Sequence, residues 1–173
     1  MRGSLVFLCL AQMATPLVAQ QACNQQMLYS TPAGTFLDNG NGTVTDVRNG
    51  LMWKRCAEGQ SWQVSGCMGL ATRVDWASAM EGAADTSFAG YDDWRLPNIK
   101  ELNSILERAC RSPAIDATVF PATPSSAFWS SSPDNQNPWS LNNYSFKVYF
   151  TAGGTFYGAR DGYEHVRLVR SVP

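Results

Sequence analysis

An α+β fold, built as a single compact disulfide-stapled domain with two helices packed on short antiparallel strands, is what this sequence predicts. Three observations point to it. Glycine-punctuated apolar or alternating runs occupy both halves of the chain, two helical periodicities lie between them, and four cysteines follow a leader-like N-terminus. With 173 residues there is room for one well-formed core, and 45% hydrophobic against 16% charged residues describes a globular chain.

The first elements are expected outside the domain. Arg2 supplies a positive n-region, Leu5-Val6-Phe7-Leu8-Cys9-Leu10-Ala11 an apolar core, and Thr15-Pro16-Leu17-Val18-Ala19 a c-region ending on a small residue. Residues 1–19 therefore read as an export signal cleaved after Ala19. Gln12 and Pro16 interrupt the apolar stretch, which falls short of the roughly 20 residues that span a bilayer. No membrane span is expected after cleavage, and the mature protein is expected to be secreted or periplasmic. Residues 20–35 are polar and turn-prone, a lead-in to a domain over residues 36–173.

In that domain, Phe36-Leu37-Asp38 and Thr43-Val44-Thr45-Asp46 flank Asn39-Gly40-Asn41-Gly42, a β-hairpin signature. The oxygen-rich turn falls short of a calcium loop, because Gly40 and Gly42 stand where alternating ligands are needed. After Asn49-Gly50, Leu51 to Arg55 read as a strand with a heavy apolar load. Asp75 is placed to cap a first helix whose Trp76, Ala79, Met80 and Ala83 share one face. Asn98 and Glu101 form a capping-box pattern for a second helix, with Ile99, Leu102 and Leu106 as its apolar stripe and Cys110 near its end. Phe128 to Ser132 read as a strand stopped by Pro133. Phe146, Val148 and Phe150 alternate with Lys147, Tyr149 and Thr151, a half-buried strand facing its odd-numbered residues outward. Gly153-Gly154 turns into Thr155-Phe156-Tyr157, which is expected to bring Tyr157 back beside the outward face that carries Tyr149, and Val166 to Arg170 read as the closing strand.

Removing the leader leaves Cys23, Cys56, Cys67 and Cys110, which allow three pairings. Cys56 and Cys67 close a short loop and are the natural local pair, leaving Cys23 with Cys110. Chain-entropy reasoning gives the long loop roughly 4–5 kcal/mol and the short one about 3 kcal/mol. No C-x-x-C knuckle suggests zinc, and no metal or cofactor is expected.

Four ordered blocks resemble one bacterial family: Phe36 to Asp46 with Gly50-Leu51-Met52-Trp53; Asp93-Trp94-Arg95-Leu96-Pro97 with Lys100-Glu101-Leu102; Phe128 to Ser132; and Val166 to Arg170. The pattern is similar to the C-terminal domain family of the Legionella collagen-like adhesin, across roughly residues 36–172. The resemblance implies an exported domain in the style of C-type-lectin-like and formylglycine-generating-enzyme-like folds. In the adhesin the domain trimerises and binds sulfated polysaccharides. This sequence has no collagen-type glycine triplets, and its net charge is −1. A homo-oligomer stays open, whereas a nucleic acid partner does not, for want of a basic face.

Trp94 and Leu96 are expected in the core with Arg95 paired to a carboxylate, and Trp53 and Trp129 read as core aromatics. His165 is the single histidine, and the cysteines serve as staples, so the domain is expected to bind rather than catalyse. The expected ligand is a glycan or a cell-envelope protein; a structural role in an envelope or pilus-type assembly is the other reading. The candidate binding residues are Tyr149, Tyr157, Arg160, Tyr163 and His165, aromatic and cationic groups on turns and outward strand positions. The loop from Ser132 to Asn143 is the second place to look.

Overall fold

The computed structural model describes residues 21–64, 66–134 and 143–172. Two sheets carry the core. The larger is antiparallel and contains β2 (Phe36–Asp38), β3 (Thr43–Asp46), β4 (Leu51–Lys54) and β11 (Val169–Ser171), in the order β11-β4-β3-β2. The second runs β10-β9-β8, from β8 (Ala127–Pro133), β9 (Tyr144–Tyr149) and β10 (Gly154–Ala159). Among the described residues, two further strand pairs are present: β1 (Ala22–Cys23) with β7 (Cys110–Arg111), and β5 (Ser61–Gln63) with β6 (Gly66–Met68).

The hairpin forms as its turn chemistry predicts. Gly40 and Gly42 take positive φ, Asp38 accepts the Gly40 N–H, and Phe36 lies opposite Asp46. The other Asp38 oxygen accepts from Arg55 at 2.7 Å, while Asp46 accepts the N–H groups of Arg48 and Asn49. Both carboxylates are thus committed to holding turns.

The heavy apolar load of β4 has a simple cause: the sheet is buried on both faces. Leu51 and Trp53 join a cluster with Val44, Leu102, Phe120, Phe128, Val148 and Phe150. Met52 faces the other way, toward Ala79, Ala83, Trp94, Leu96, Trp129 and Leu168. Strand β8 divides in the same manner, Phe128 to the first cluster and Trp129 to the second. Trp53 and Trp129 are fully buried, and Trp94 and Leu96 are 2% exposed.

The helices α1 (Trp76–Ala84) and α2 (Ile99–Ser104) start where the sequence indicates, at Asp75 and at the Asn98–Glu101 capping box. Glu101 also receives both Arg95 guanidinium nitrogens, at 2.8 and 2.7 Å. Their far ends and faces differ from expectation. On α1, Ala79 and Ala83 are buried but Met80 is exposed. The second helix stops at Ser104, where Asn103 donates to Ile99 O and Ser104 to Glu101 O, side chains competing for helical carbonyls. Leu106 therefore packs from beyond the helix, and Cys110 belongs to β7. The closing strand is shorter too. The paired register with β4 covers only Val169–Ser171; Leu168 O still accepts from Lys54 N at the end of β4, but Val166 O accepts from Glu58 N, beyond that strand.

Arg167, in that irregular stretch, is fully buried. Its Nη1 donates to the carbonyls of Lys54 and Arg55, its Nη2 donates to Thr123 Oγ1 at 2.7 Å, and its guanidinium lies 4.8 Å from the Phe120 ring centroid. Burial pushes its pKa down to about 9, which leaves it charged at neutral pH.

The lead-in is bound to the domain rather than loose. Cys23 is bonded to Cys110, and Cys56 to Cys67. The buried Glu107 carboxylate accepts the N–H groups of Ser30, Thr31 and Ala109. Burial alone would raise its pKa, but these donors outweigh that and hold it below the usual range.

Two outcomes are expected. Non-reducing peptide mapping should recover the Cys23–Cys110 and Cys56–Cys67 pairs; a free thiol at any of the four overturns this assignment. Trp94→Ala and Arg167→Ala should each cost on the order of 3–5 kcal/mol in urea denaturation, as buried large-to-small changes do. Wild-type midpoints for both would contradict the packing described.

Candidate binding surface

Placement of the five candidate residues follows from the β8-β9-β10 sheet. Tyr149 pairs with Gly154 across the turn, and the register then runs unshifted to Tyr144 opposite Ala159. Side chains alternate, so Lys147, Tyr149 and Phe156 share one face, and Tyr144, Phe146 and Tyr157 the other. Ring contacts agree: Tyr149 meets Phe156 at 5.1 Å between centroids and Tyr157 meets Tyr144 at 5.8 Å. The expectation that Tyr157 returns beside Tyr149 is therefore wrong, and the cause is the pairing of Tyr149 with Gly154, which gives that neighbour's place to Phe156.

The expected inward and outward sets on β9 are also only partly right. Val148 and Phe150 are buried, Phe146 and Tyr149 are half-buried, and Ser145 is buried. Lys147 does not project into solvent. Its ammonium lies over the rings of Trp129 and Tyr149 and pairs with Glu164 at 2.5 Å. Burial alone would lower the Lys147 pKa, but the Glu164 carboxylate more than offsets it and holds the pKa above the usual lysine range.

Arg160 and Tyr163 do meet, in a cleft of about 440 Å³ at the N-terminus of α1. The Arg160 backbone is clamped, its N–H donating to Asn143 O and its carbonyl accepting from Trp76 N, both at 2.9 Å. Its Nε donates to Ser145 Oγ, and the guanidinium stacks 4.3 Å from the Trp76 ring centroid. Trp76 is itself fixed by its Nε1 donating to Ser130 O at 2.8 Å. Tyr163 stands at the rim, 60% exposed, its carbonyl accepting two Arg73 nitrogens at 2.9 and 2.6 Å. Asp75 and the exposed Asp161 add carboxylates to the lining. The result is a shallow cleft with a stacked indole–guanidinium pair, a free phenol ring and both signs of charge.

His165 is no part of it. The ring is 7% exposed and packs against Phe128, with Nδ1 2.9 Å from Thr72 O. A carbonyl only accepts, so Nδ1 carries the proton. Its availability to an outside ligand, inferred from chain position alone, is corrected: the residue's backbone bridges to Phe128 and draws the ring inside. Residues 135–142 of the second candidate loop lie outside the described residues.

Two features went unread in the sequence. Trp76 fits the apolar helical period, yet it is the first residue of α1, where one ring face reaches the cleft. A second aromatic depression of about 320 Å³ joins Lys54, Trp62 and Phe88 around Gly42. A Cβ on Gly42 would stand 2.6 Å from Trp62 and 2.9 Å from Phe88, so glycine there admits both rings. Among the described residues, no group of three or more His, Cys, Asp or Glu converges as a metal site.

His165 generates a pH prediction. Burial, with the nearby Arg73 charge, lowers its pKa below the usual 6.5, partly opposed by the Thr72 bond and Glu164. The unfolded chain then takes up the proton first as pH falls, so the folded state loses stability below about pH 6.5. Urea midpoints measured from about pH 7.5 to about pH 5.5 should fall in the wild type and flatten in His165→Gln; equal slopes would refute this.

Comparison with known families gives one finding. The model of the Lcl C-terminal domain matches residues 42–170, from the hairpin through β11. No curated protein matches the chain. On a match that covers most of its length, this chain belongs to the Lcl C-terminal domain family.

Proposed function

We propose that the protein is an exported, non-catalytic binding module that recognises a glycan in the cleft at the start of α1, on a scaffold of C-type-lectin-like or formylglycine-generating-enzyme-like type. The observation that carries this reading is the Trp76–Arg160 stack beside the exposed Tyr163. A sugar ring has C–H faces that pack on flat aromatic surfaces and hydroxyls that need both donors and acceptors. Asp161 supplies acceptors and Arg160 donors around such surfaces, with the Arg160 geometry already fixed by Ser145 and Asn143.

Other features favour binding over chemistry and export over retention. The imidazole of His165 is engaged with Thr72, and Cys23, Cys56, Cys67 and Cys110 are all consumed as disulfides. Two disulfides fit an oxidising compartment, in keeping with the leader-like residues 1–19 and a secreted or periplasmic location.

A glycan array probed with protein spanning residues 20–173 tests this reading. Binding should be weakened at least about tenfold by Tyr163→Ala combined with Asp161→Asn, both surface changes, with an unchanged circular dichroism spectrum. Absence of any bound glycan, or full binding by the folded double variant, overturns the proposal.

A further inference from the structure

Trp62 is a large aromatic residue with no place in either core cluster. It stands on the short β5-β6 hairpin opposite Cys67, whose disulfide to Cys56 staples that hairpin to the chain just after β4. Arg55 holds the ring, its guanidinium 4.4 Å from the indole centroid. Arg55 is itself fixed, donating to Thr118 O, Val119 O and Asp38. Phe88 is the second ring of the depression around Gly42. Its carbonyl accepts from Trp94 Nε1 at 3.1 Å, and its backbone exchanges both hydrogen bonds with Tyr91. Gly42 touches both rings, which are half-buried. Two aromatic walls are thus set by contacts made within the protein.

The polar groups there are of two kinds, spent and available. Gln60 is spent, on Ala57 N and Ala122 O. The indole N–H groups of Trp76, Trp94 and Trp129 donate to backbone carbonyls, and that of Trp53 is enclosed in the core. Trp62 Nε1 donates to no group among the described residues, and its residue lines an open depression. Ser61, exposed in the same lining, has a hydroxyl that donates and accepts. The Lys54 ammonium lies 4.9 Å from the Phe88 centroid. Its charge is matched by Glu58 at 2.6 Å, as that of Arg55 is by Asp38 at 2.7 Å.

We propose that this depression is a second sugar-binding site, separate from the cleft at the start of α1, and that it takes one uncharged hexose unit. The apolar face of the sugar packs on Trp62 and Phe88, and its hydroxyls accept from Trp62 Nε1 and donate to Ser61 Oγ. Because both cations are already paired, an anionic group on the ligand gains little there. A proline-rich segment would use the rings and the indole donor as well, but it brings no hydroxyl to donate to Ser61. The nine residues of α1, about 14 Å of helix, run between Trp76 and Phe88. Each site therefore engages its own sugar unit, and neither needs the other.

Magnetic resonance titration of the isotope-labelled mature chain reads both sites at once. The probes are the methyl glycosides of glucose, galactose, mannose and N-acetylglucosamine, each to about 100 mM. The Trp62 indole N–H signal, assigned by its loss in Trp62→Phe, should move saturably with at least one of them. Half-saturation should change less than about twofold between about 50 mM and about 500 mM NaCl. The movement should persist in Tyr163→Ala combined with Asp161→Asn. Ser61→Ala should weaken it at least about threefold at an unchanged melting temperature. No movement with any glycoside, a response that salt abolishes, full affinity in Ser61→Ala, or a response to an oligoproline peptide but to no sugar would each overturn the proposal. Tyr163 and Arg160 amides that move while Trp62 stays still would remove this site and leave the cleft; the reverse pattern would remove the cleft and leave this site.

Discussion

The fold hangs on the burial of one cation. Arg167 lies between the two sheets, and its guanidinium replaces water with the carbonyls of Lys54 and Arg55 and the hydroxyl of Thr123, while Phe120 and Phe128 cover its faces. Desolvating such a group is costly, and the acceptors on Nη1 and Nη2 offset only part of that cost, since the buried Nε has no hydrogen-bond partner among the described residues. Those acceptors come from the end of β4 and from the loop before β8, so the charge keeps its hydrogen bonds only when both are in place. The chain on either side is placed with it. Val166 O and Leu168 O take the N–H groups of Glu58 and Lys54, and the His165 backbone bridges to β8. Residues 165–168 therefore form a spine between the sheets without being a strand of either, which is why Val166 to Leu168 read as strand by composition yet do not pair as one.

This anchoring reaches the cleft through covalent neighbours. Glu164, next to His165, exchanges backbone hydrogen bonds with Val74 and accepts the Lys147 ammonium. Val74 leads into Asp75 and the start of α1, and Tyr163 precedes Glu164. The cleft walls are thus the continuation of the spine on one side and of the helix cap on the other, and Arg160 closes the gap by accepting from Trp76 N. Rigidity of that kind keeps the exposed Trp76 face in place, and on the proposed glycan reading it would limit the ordering cost of binding.

What could be read from the sequence was what local chemistry decides. Asn-Gly turns, the Asp75 cap and the Asn98–Glu101 capping box depend on a few consecutive residues, and each stands where expected. The pairing of Cys56 with Cys67 is equally local. The candidate site was legible only in part, because its geometry is set by non-local choices. One residue of turn register decided whether Phe156 or Tyr157 lies beside Tyr149. A bridge to Phe128 decided that His165 is inside. Trp76 carries an apolar signal that core and platform share, and only its position at the helix start separates them.

Gly158 shows how these non-local demands return to the sequence. Nothing in the local strand pattern calls for glycine there, and glycine in a strand interior is ordinarily a loss. The requirement comes from β9, where Lys147 must pass close over β10 to reach Glu164; a Cβ at 158 would stand 2.7 Å from its Nζ and 2.8 Å from its Cε. Gly154 has a similar origin, since the Phe156 ring comes within 2.5 Å of where its Cβ would be. The two glycines make β10 smooth on that face, leaving Phe156 as its single large side chain between them. The same ion pair that holds the spine to the sheet has thereby shaped the sheet's exposed edge.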